Sequence, residues 1–339
     1  MKKSLFVVLS VLLFSCAERA PIAKTHSGNA FGTTYNIQYF SNTDFDIEKG
    51  LDSLIAVVNK SVSTYLPESD ISRINQGDSS VVTDAIFKEV YRVSESVYQN
   101  SNGYFDPTVG ILRNAYGFGD VAPITEIDST VLDSLRKFVG FNKVKLMEDG
   151  TVHKMYPEIY FDFNAVAKGY AIDLMGRYLE NQGSQYYIVE LGGEVLAMGS
   201  NVAKGKPWTA GIETIDSEVG NRSFLATVQL SNQAMAASGN YRKFRINPRT
   251  GKKYVHTINP LTGFAEESDV TSATVIATTC VVADAYATAF MAMGLERSKK
   301  VLATLDTVEA YLTFTDGSGT QSVYVTEGFS ERLLTNALE

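Results

Sequence analysis

The segment that most constrains the fold is residues 281–293, which has the length of a helix and is apolar on almost every face. A helix without a polar face has to be surrounded by other elements, so it must lie inside a large domain. Around it the pattern is mixed, with amphipathic helices and many short, glycine-punctuated β segments over residues 186–276. No regular βαβ rhythm is present, which favours an α+β fold with mixed, largely antiparallel sheets and packed helices.

Local patterns predict the individual elements. Residues 34–40 alternate, with Tyr35, Ile37 and Tyr39 on one face, and predict a half-buried strand. Helices are predicted over residues 45–60, 84–100, 128–138 and 165–182, with Asp84 and Asp128 as N-caps. Further strands are predicted over residues 143–147, 158–161, 186–191, 208–212, 224–230 and 252–256, the first two joined through Asp149-Gly150. Residues 308–315 and 321–326 predict a closing hairpin.

The N-terminus has the pattern of a bacterial lipoprotein leader. Met1-Lys2-Lys3 is followed by an apolar run over residues 5–14 that is too short to span a bilayer. Cys16 stands directly after the small residue Ser15, as in a lipobox. We expect residues 1–15 to be a signal peptide, Cys16 to carry the lipid, and residues 16–27 to form a lipidated tether. A plain secretory peptide cut nearby is the alternative. The lipoprotein would be exported and anchored to a membrane, facing the periplasm.

Composition and missing motifs exclude several classes of protein. The chain has 30 basic and 38 acidic residues, a formal charge of −8, and no basic block, so no nucleic-acid footprint is present. It contains no P-loop, no GxGxxG after a strand, no CxxC pair and no GxSxG. Apart from Cys16, which is expected to carry the lipid, Cys280 is the one cysteine, so no internal disulfide is expected. Since no Pro/Ser-rich linker divides the rest, residues 28–335 are predicted to be one large catalytic unit.

The first candidate site is the segment from Asp162 to Tyr170. Asp162 is predicted at the end of a strand, and the helix should begin about three residues later. Lys168 could then reach an anion held at the helix N-terminus. Taken by itself, this segment is better explained as an ordinary Asp near a helix start with a solvated lysine.

The second candidate is the pair Asp284 and Thr288 on the apolar helix. At i and i+4 they share one face, and a buried carboxylate is costly unless it is paired or bound to a cation. A carboxylate and a hydroxyl are hard oxygen ligands that suit Mg²⁺. An Asp paired with a neighbouring hydroxyl or arginine is the alternative.

Two further candidates come from loops. His256 ends a strand-like run and could be a general base or a structural residue. Gly103-Tyr-Phe-Asp-Pro-Thr-Val-Gly110 could stack on a planar ligand or be a packed connection.

These segments, taken in order, resemble the ApbE family, the FAD:protein FMN transferases. The resemblance covers nearly the whole chain beyond the leader. Its motifs are Gly32-Thr-Thr-Tyr35, Ser63-Thr-Tyr65, Ser69-Asp-Ile-Ser-Arg-Ile-Asn75, Gly103 to Gly110, Tyr116-Gly-Phe-Gly119, Asp162 to Tyr170, Gly192-Gly193, Ser238-Gly-Asn-Tyr241, His256-Thr-Ile-Asn-Pro-Leu-Thr-Gly263 and Ala283-Asp-Ala-Tyr-Ala-Thr288.

The resemblance implies a Mg²⁺-dependent enzyme that moves the FMN half of FAD onto a threonine hydroxyl of an acceptor flavoprotein, a respiratory or extracellular redox subunit, and releases AMP. It implies FAD contacts at Phe31, Tyr65, Tyr104, Phe105, Asp106, Asp162, Lys168 and His256, and metal ligands at Ala165 (main-chain carbonyl), Asp284 and Thr288. Lys168 and His256 are then the candidate catalytic residues. Two alternatives stay open: a Mg²⁺-dependent FAD pyrophosphatase giving FMN and AMP, and a non-catalytic FAD-binding lipoprotein.

Overall fold

The structure is a computed structural model that describes residues 21–124, 126–214, 223–240, 244–246, 251 and 253–336. The predicted leader with Cys16, and Tyr241 of the Ser238 motif, lie outside the described residues. Within the described part, no helix is long and apolar enough to cross a membrane.

The chain forms the mixture of helices and strands that the sequence predicts. Its helices are α1 (Ile47–Val62), α2 (Asp70–Asn75), α3 (Ala85–Asn100), α4 (Gly110–Tyr116), α5 (Ser129–Arg136), α6 (Ala167–Asn181), α7 (Cys280–Met293), α8 (Leu295–Leu302) and α9 (Glu327–Ser330). Its strands are β1 (Ile22–Ala30), β2 (Thr33–Ser41), β3 (Val144–Leu146), β4 (Val152–Lys154), β5 (Tyr186–Leu191), β6 (Glu194–Met198), β7 (Trp208–Glu213), β8 (Phe224–Leu230), β9 (Gln233–Gly239), β10 (Phe244–Ile246), β11 (Lys253–Val255), β12 (Val270–Ala277), β13 (Glu309–Thr315), β14 (Gln321–Val325) and β15 (Leu333–Asn336).

An eight-stranded sheet organises the fold, in the order β1-β2-β5-β6-β9-β12-β13-β14. All neighbouring strands in it are antiparallel, so the predicted α+β class with largely antiparallel sheets is confirmed. The predicted alternation of β2 is also confirmed, because Tyr35, Ile37 and Tyr39 are buried. Three smaller sheets, β15-β8-β7, β10-β11 and β3-β4, complete the described strands.

The large sheet is covered on both faces. One face packs against α1, α6 and α7 in the main core, where the apolar helix α7 is buried as predicted, and α3 packs on α1 and α7. The other face packs against the β15-β8-β7 sheet through a second core that contains Trp208, Val228, Met235 and Tyr311. Successive residues of a strand therefore enter different cores, as Val195 and Leu196 of β6 do.

Several predicted elements need correction. Residues 158–161 do not join β3 in a hairpin; β4 takes that place, and Tyr160 makes only an isolated bridge to Val109. Residues 22–27, assigned to the tether, instead pair with β2 as part of β1. Helix α6 begins at Ala167, two residues later than expected. The predicted N-caps are confirmed, since Asp84 accepts from the Phe87 N–H and Asp128 from the Val131 N–H, both at 2.8 Å.

An aromatic cluster fixes the segment that carries Asp162. Phe87 of α3 is fully buried and meets Phe161 and Phe163 edge-on, with ring centroids 6.3 and 5.3 Å apart. Phe161 and Phe163 flank Asp162, so this packing holds the segment without a sheet partner. Edge-to-face pairs of this kind add to the stabilisation from burial.

We therefore expect Phe87→Ala to lower the free energy of unfolding by about 3 to 5 kcal/mol, the usual cost of a large cavity in a core. Phe264→Ala is the matched control, since Phe264 is 45% exposed, and it should cost less than half as much. Urea unfolding followed by circular dichroism measures both. Equal losses would contradict the role given to the cluster.

Candidate active site

One large cavity gathers every predicted site residue. Its volume is about 1870 Å³, above the roughly 300–1,000 Å³ typical of small-molecule sites. There is space for a dinucleotide together with part of a second reactant. The predicted residues that line it are Phe31, Tyr65, Tyr104, Phe105, Asp106, Asp162, Ala165, Lys168, His256, Asp284 and Thr288.

Phe31 reaches the cavity from a strained turn. Phe31 and Gly32 form the two-residue loop between β1 and β2, with φ angles of 51° and 76°. Such a type I′ turn favours Asn or Gly, and a bulky residue in this conformation costs about 1 to 3 kcal/mol. The backbone therefore gives no reason for a phenylalanine here, whereas a ring on the cavity wall does.

The most charged wall of the cavity lies where α6 and α7 meet. Lys168 forms an ion pair with Glu194, the first residue of β6, and Asp284 accepts a 3.2 Å hydrogen bond from the Gly169 N–H. Burial alone would lower the pKa of Lys168, but the negative charges of Glu194 and Asp284 outweigh it and raise that pKa. Lys168 therefore stays cationic.

The surroundings of Asp284, in contrast, favour its neutral form. Burial, reinforced by repulsion from Glu194, raises the pKa of its carboxyl well above the usual value. Glu194 and Asp284 both lie near the ammonium of Lys168, and burial makes a second ionised carboxylate at this wall costly. A divalent cation at this wall would remove that penalty.

The donor set also fits a hard cation. Asp284 and Thr288 lie one turn apart on α7, and Ala165 lies in the turn before α6; all three line the cavity. They offer a carboxylate, a hydroxyl and a carbonyl oxygen, which are ligands suited to Mg²⁺. Among the described residues there is no cluster of three or more His, Cys, Asp or Glu side chains placed to hold a metal. Mixed oxygen ligation is therefore the arrangement that this wall supports.

Asp162 is held by a residue that the sequence did not single out. Arg113 of α4 forms an ion pair with Asp162, and its guanidinium also donates to the Phe118 carbonyl at 2.7 Å. Burial lowers the pKa of Arg113. Its one visible signal in the sequence is a lone arginine within a short apolar stretch, Ile111 to Tyr116. Glu194 was missed as well, because nothing local marks its pairing with Lys168.

Asp106 shapes its own loop. One carboxylate oxygen accepts from the Thr108 N–H and hydroxyl at 2.8 and 2.6 Å, and the other accepts from the Phe141 N–H at 3.0 Å. The side chain is 6% exposed. Asp106 therefore supports the wall that Tyr104 and Phe105 form, with its own oxygens already engaged.

His256 follows β11, lines the cavity and is half-buried. Two side-chain hydrogen bonds hold the loop that follows it. Tyr116 donates to the Gly263 carbonyl at 3.1 Å, and Arg136 donates to the Leu261 carbonyl at 2.6 Å. This bracing gives the imidazole a fixed backbone beside the cavity.

Comparisons with known proteins give matches over most of the length of the chain. The ApbE family model matches residues 31–312. An FAD:protein FMN transferase of Vibrio cholerae is 36% identical over 313 residues, covering 89% of this chain and 90% of that protein. One from Haemophilus influenzae is 31% identical over 307 residues, 87% of each chain. The solved flavin transferase ApbE from Vibrio cholerae superposes with a TM-score of 0.81 at 31% identity, covering 92% of this chain and 100% of that one.

Asp106 gives a pH-dependent prediction. Burial raises its pKa from an ordinary 3.8 to about 6, against the opposing effect of its hydrogen bonds. A raised pKa adds stability below pH 3.8 that is lost as the pH rises through 6, about 3 kcal/mol for two pKa units. Relative to Asp106→Asn, the natural protein should therefore lose that amount between pH 4 and pH 7. Urea unfolding at each pH measures the free energy of unfolding of both proteins. If it changed equally for the two between pH 4 and pH 7, the assignment would be contradicted.

Proposed function

The chain belongs to the ApbE family, and we propose that it uses Mg²⁺ to transfer the FMN half of FAD to a threonine hydroxyl of an acceptor flavoprotein. Flavin transfer from FAD to an acceptor is its activity, and the chain is an FAD:protein FMN transferase. Magnesium and the threonine target are the finer parts of the proposal. The observation that supports magnesium is the cavity wall where Lys168, Glu194, Asp284 and Thr288 meet, whereas the threonine target rests on the resemblance to the family.

The reaction exchanges the phosphoanhydride bond of FAD for a phosphoester bond to the acceptor. The acceptor oxygen bonds to the FMN phosphorus, the bond from that phosphorus to the AMP oxygen breaks, and the hydroxyl proton leaves. A cation bound by Asp284, Thr288 and the Ala165 carbonyl would supply charge neutralisation on the diphosphate oxygens. Lys168, held protonated by Glu194, adds a second positive charge at the same wall.

The proton of the acceptor hydroxyl needs a base. His256 is our candidate, because it lines the cavity on a braced loop and an imidazole titrates near neutral pH. The attacking hydroxyl comes from the partner, so this chain needs no nucleophile of its own.

We also propose that the protein works as a periplasm-facing lipoprotein anchored through Cys16. The leader pattern supports this location, and a membrane anchor would hold the enzyme beside respiratory or extracellular redox subunits. Mass spectrometry of co-expressed membrane flavoproteins would identify the acceptor by an added FMN on a threonine. The anchor itself is tested by Cys16→Ala, which should release the protein from the membrane fraction.

The cation assignment predicts that Asp284→Asn lowers FAD turnover by about a hundredfold or more, since transition-state charge loses its compensation. Turnover is measured as covalent flavin fluorescence on an acceptor, with free FMN and AMP assayed alongside. Glu296→Gln is the control, because Glu296 is an exposed carboxylate on α8. Unchanged turnover in Asp284→Asn would contradict the cation site. Release of FMN and AMP without labelled acceptor would favour the pyrophosphatase.

For His256, we expect His256→Ala to slow transfer by roughly 10²- to 10⁴-fold, the usual contribution of a general base. The dissociation constant for FAD should change much less. Rapid-quench kinetics measures the first quantity and fluorescence titration the second. The exposed His153 of β4 provides the control variant His153→Ala. An unimpaired rate in His256→Ala would remove this residue from the mechanism.

A further inference from the structure

Helices α6 and α7 touch backbone to backbone at Gly169. A Cβ atom at this position would lie 2.5 Å from the Cys280 carbonyl oxygen, 2.7 Å from its carbonyl carbon and 2.8 Å from the Val281 Cα. All three are main-chain atoms, which cannot swing away as a side chain can. The close crossing therefore requires a residue without a side chain at Gly169.

A second contact lies one turn further along the same face of α6. The two carboxylate oxygens of Asp173 accept from the N–H groups of Cys280 and Val281, at 2.8 and 2.9 Å. Thr279, the N-cap residue of α7, makes no side-chain capping bond. Asp173 thus satisfies the free amides at the start of α7 from the neighbouring helix.

This crossing lies between the two halves of the proposed cation site. Ala165 precedes α6, whereas Asp284 and Thr288 lie on α7. The Gly169 N–H also donates directly to the Asp284 carboxylate. The separation of the oxygen ligands is therefore set by how closely α6 and α7 approach.

We propose that Gly169 and Asp173 are positioning residues that set the spacing of the cation ligands. The inference rests on the proposed cation site. A Cβ at Gly169 would have to move away by about 1 Å to reach ordinary van der Waals contact. Metal–ligand distances tolerate only about 0.2 Å. A methyl group at Gly169 should therefore disrupt cation binding without touching any ligand.

The test is direct binding of Mn²⁺ alone, followed by the electron paramagnetic resonance signal of the free ion. Gly169→Ala should weaken Mn²⁺ binding by about tenfold or more, the usual effect of losing a residue that orients ligands. Gly176→Ala is the matched control on the same helix. Its Cβ would meet the side-chain atoms Leu196 Cδ2 and Tyr187 Oη, at 2.6 and 2.7 Å, which can move aside. We expect this control to bind Mn²⁺ within about twofold of the natural protein.

Asp173→Asn provides a second variant, should Gly169→Ala fold poorly. Its amide nitrogen cannot accept the second N–H of α7, so Mn²⁺ binding should weaken while the fold is retained. Equal Mn²⁺ affinity in both variants and the natural protein would overturn the positioning role alone. Equal weakening in Gly169→Ala and Gly176→Ala would also overturn it, because general loosening would then be the cause. A natural protein that binds no Mn²⁺ would overturn the cation site as well.

Discussion

The structure depends on keeping Lys168, Glu194 and Asp284 together in a mostly buried wall. Isolated charges in such a place are costly, and removing one partner of a buried pair commonly costs several kcal/mol. Here the charges sit where β6, α6 and α7 converge, and each element brings one of them. Because α7 is otherwise apolar, it has to be central, and its place in the core brings Asp284 to the wall. The packing of the core therefore also determines where these charges lie.

Much of this arrangement is visible in the sequence wherever local pattern and burial point the same way. The apolar run of α7 with one acid inside it predicts both the buried helix and a charged site, and Asp84 and Asp128 mark their helix starts. Pairing across the fold has no such local signal: Arg113 and Glu194 gain their roles from Asp162 and Lys168, which are distant in sequence. The mistaken strand at residues 158–161 has the same cause. Its Phe161 is buried in the aromatic cluster around Phe87 rather than in a sheet.

The residues around the cavity divide into those that face it and those that hold it. Phe31 occupies a backbone conformation that a smaller residue would fill more easily, so its ring serves the cavity rather than the turn. Asp106 is the opposite case, because its carboxylate oxygens accept hydrogen bonds from Thr108 and Phe141 and so support the loop. A residue can thus belong to a site by sequence pattern and still act through the loop that it supports.

The carboxylates of the cavity also differ in how their charges are compensated. Asp162 has Arg113, and Asp106 has backbone and hydroxyl donors, whereas Asp284 lies buried beside Glu194, whose negative charge helps to raise its pKa. In the proposed reaction, the diphosphate of the flavin dinucleotide lies at this wall, beside the carboxyl groups of Glu194 and Asp284. An anionic substrate would be repelled from that wall until a cation neutralises it. The proposed cation site therefore implies that cation and dinucleotide bind cooperatively, each making the wall more favourable for the other.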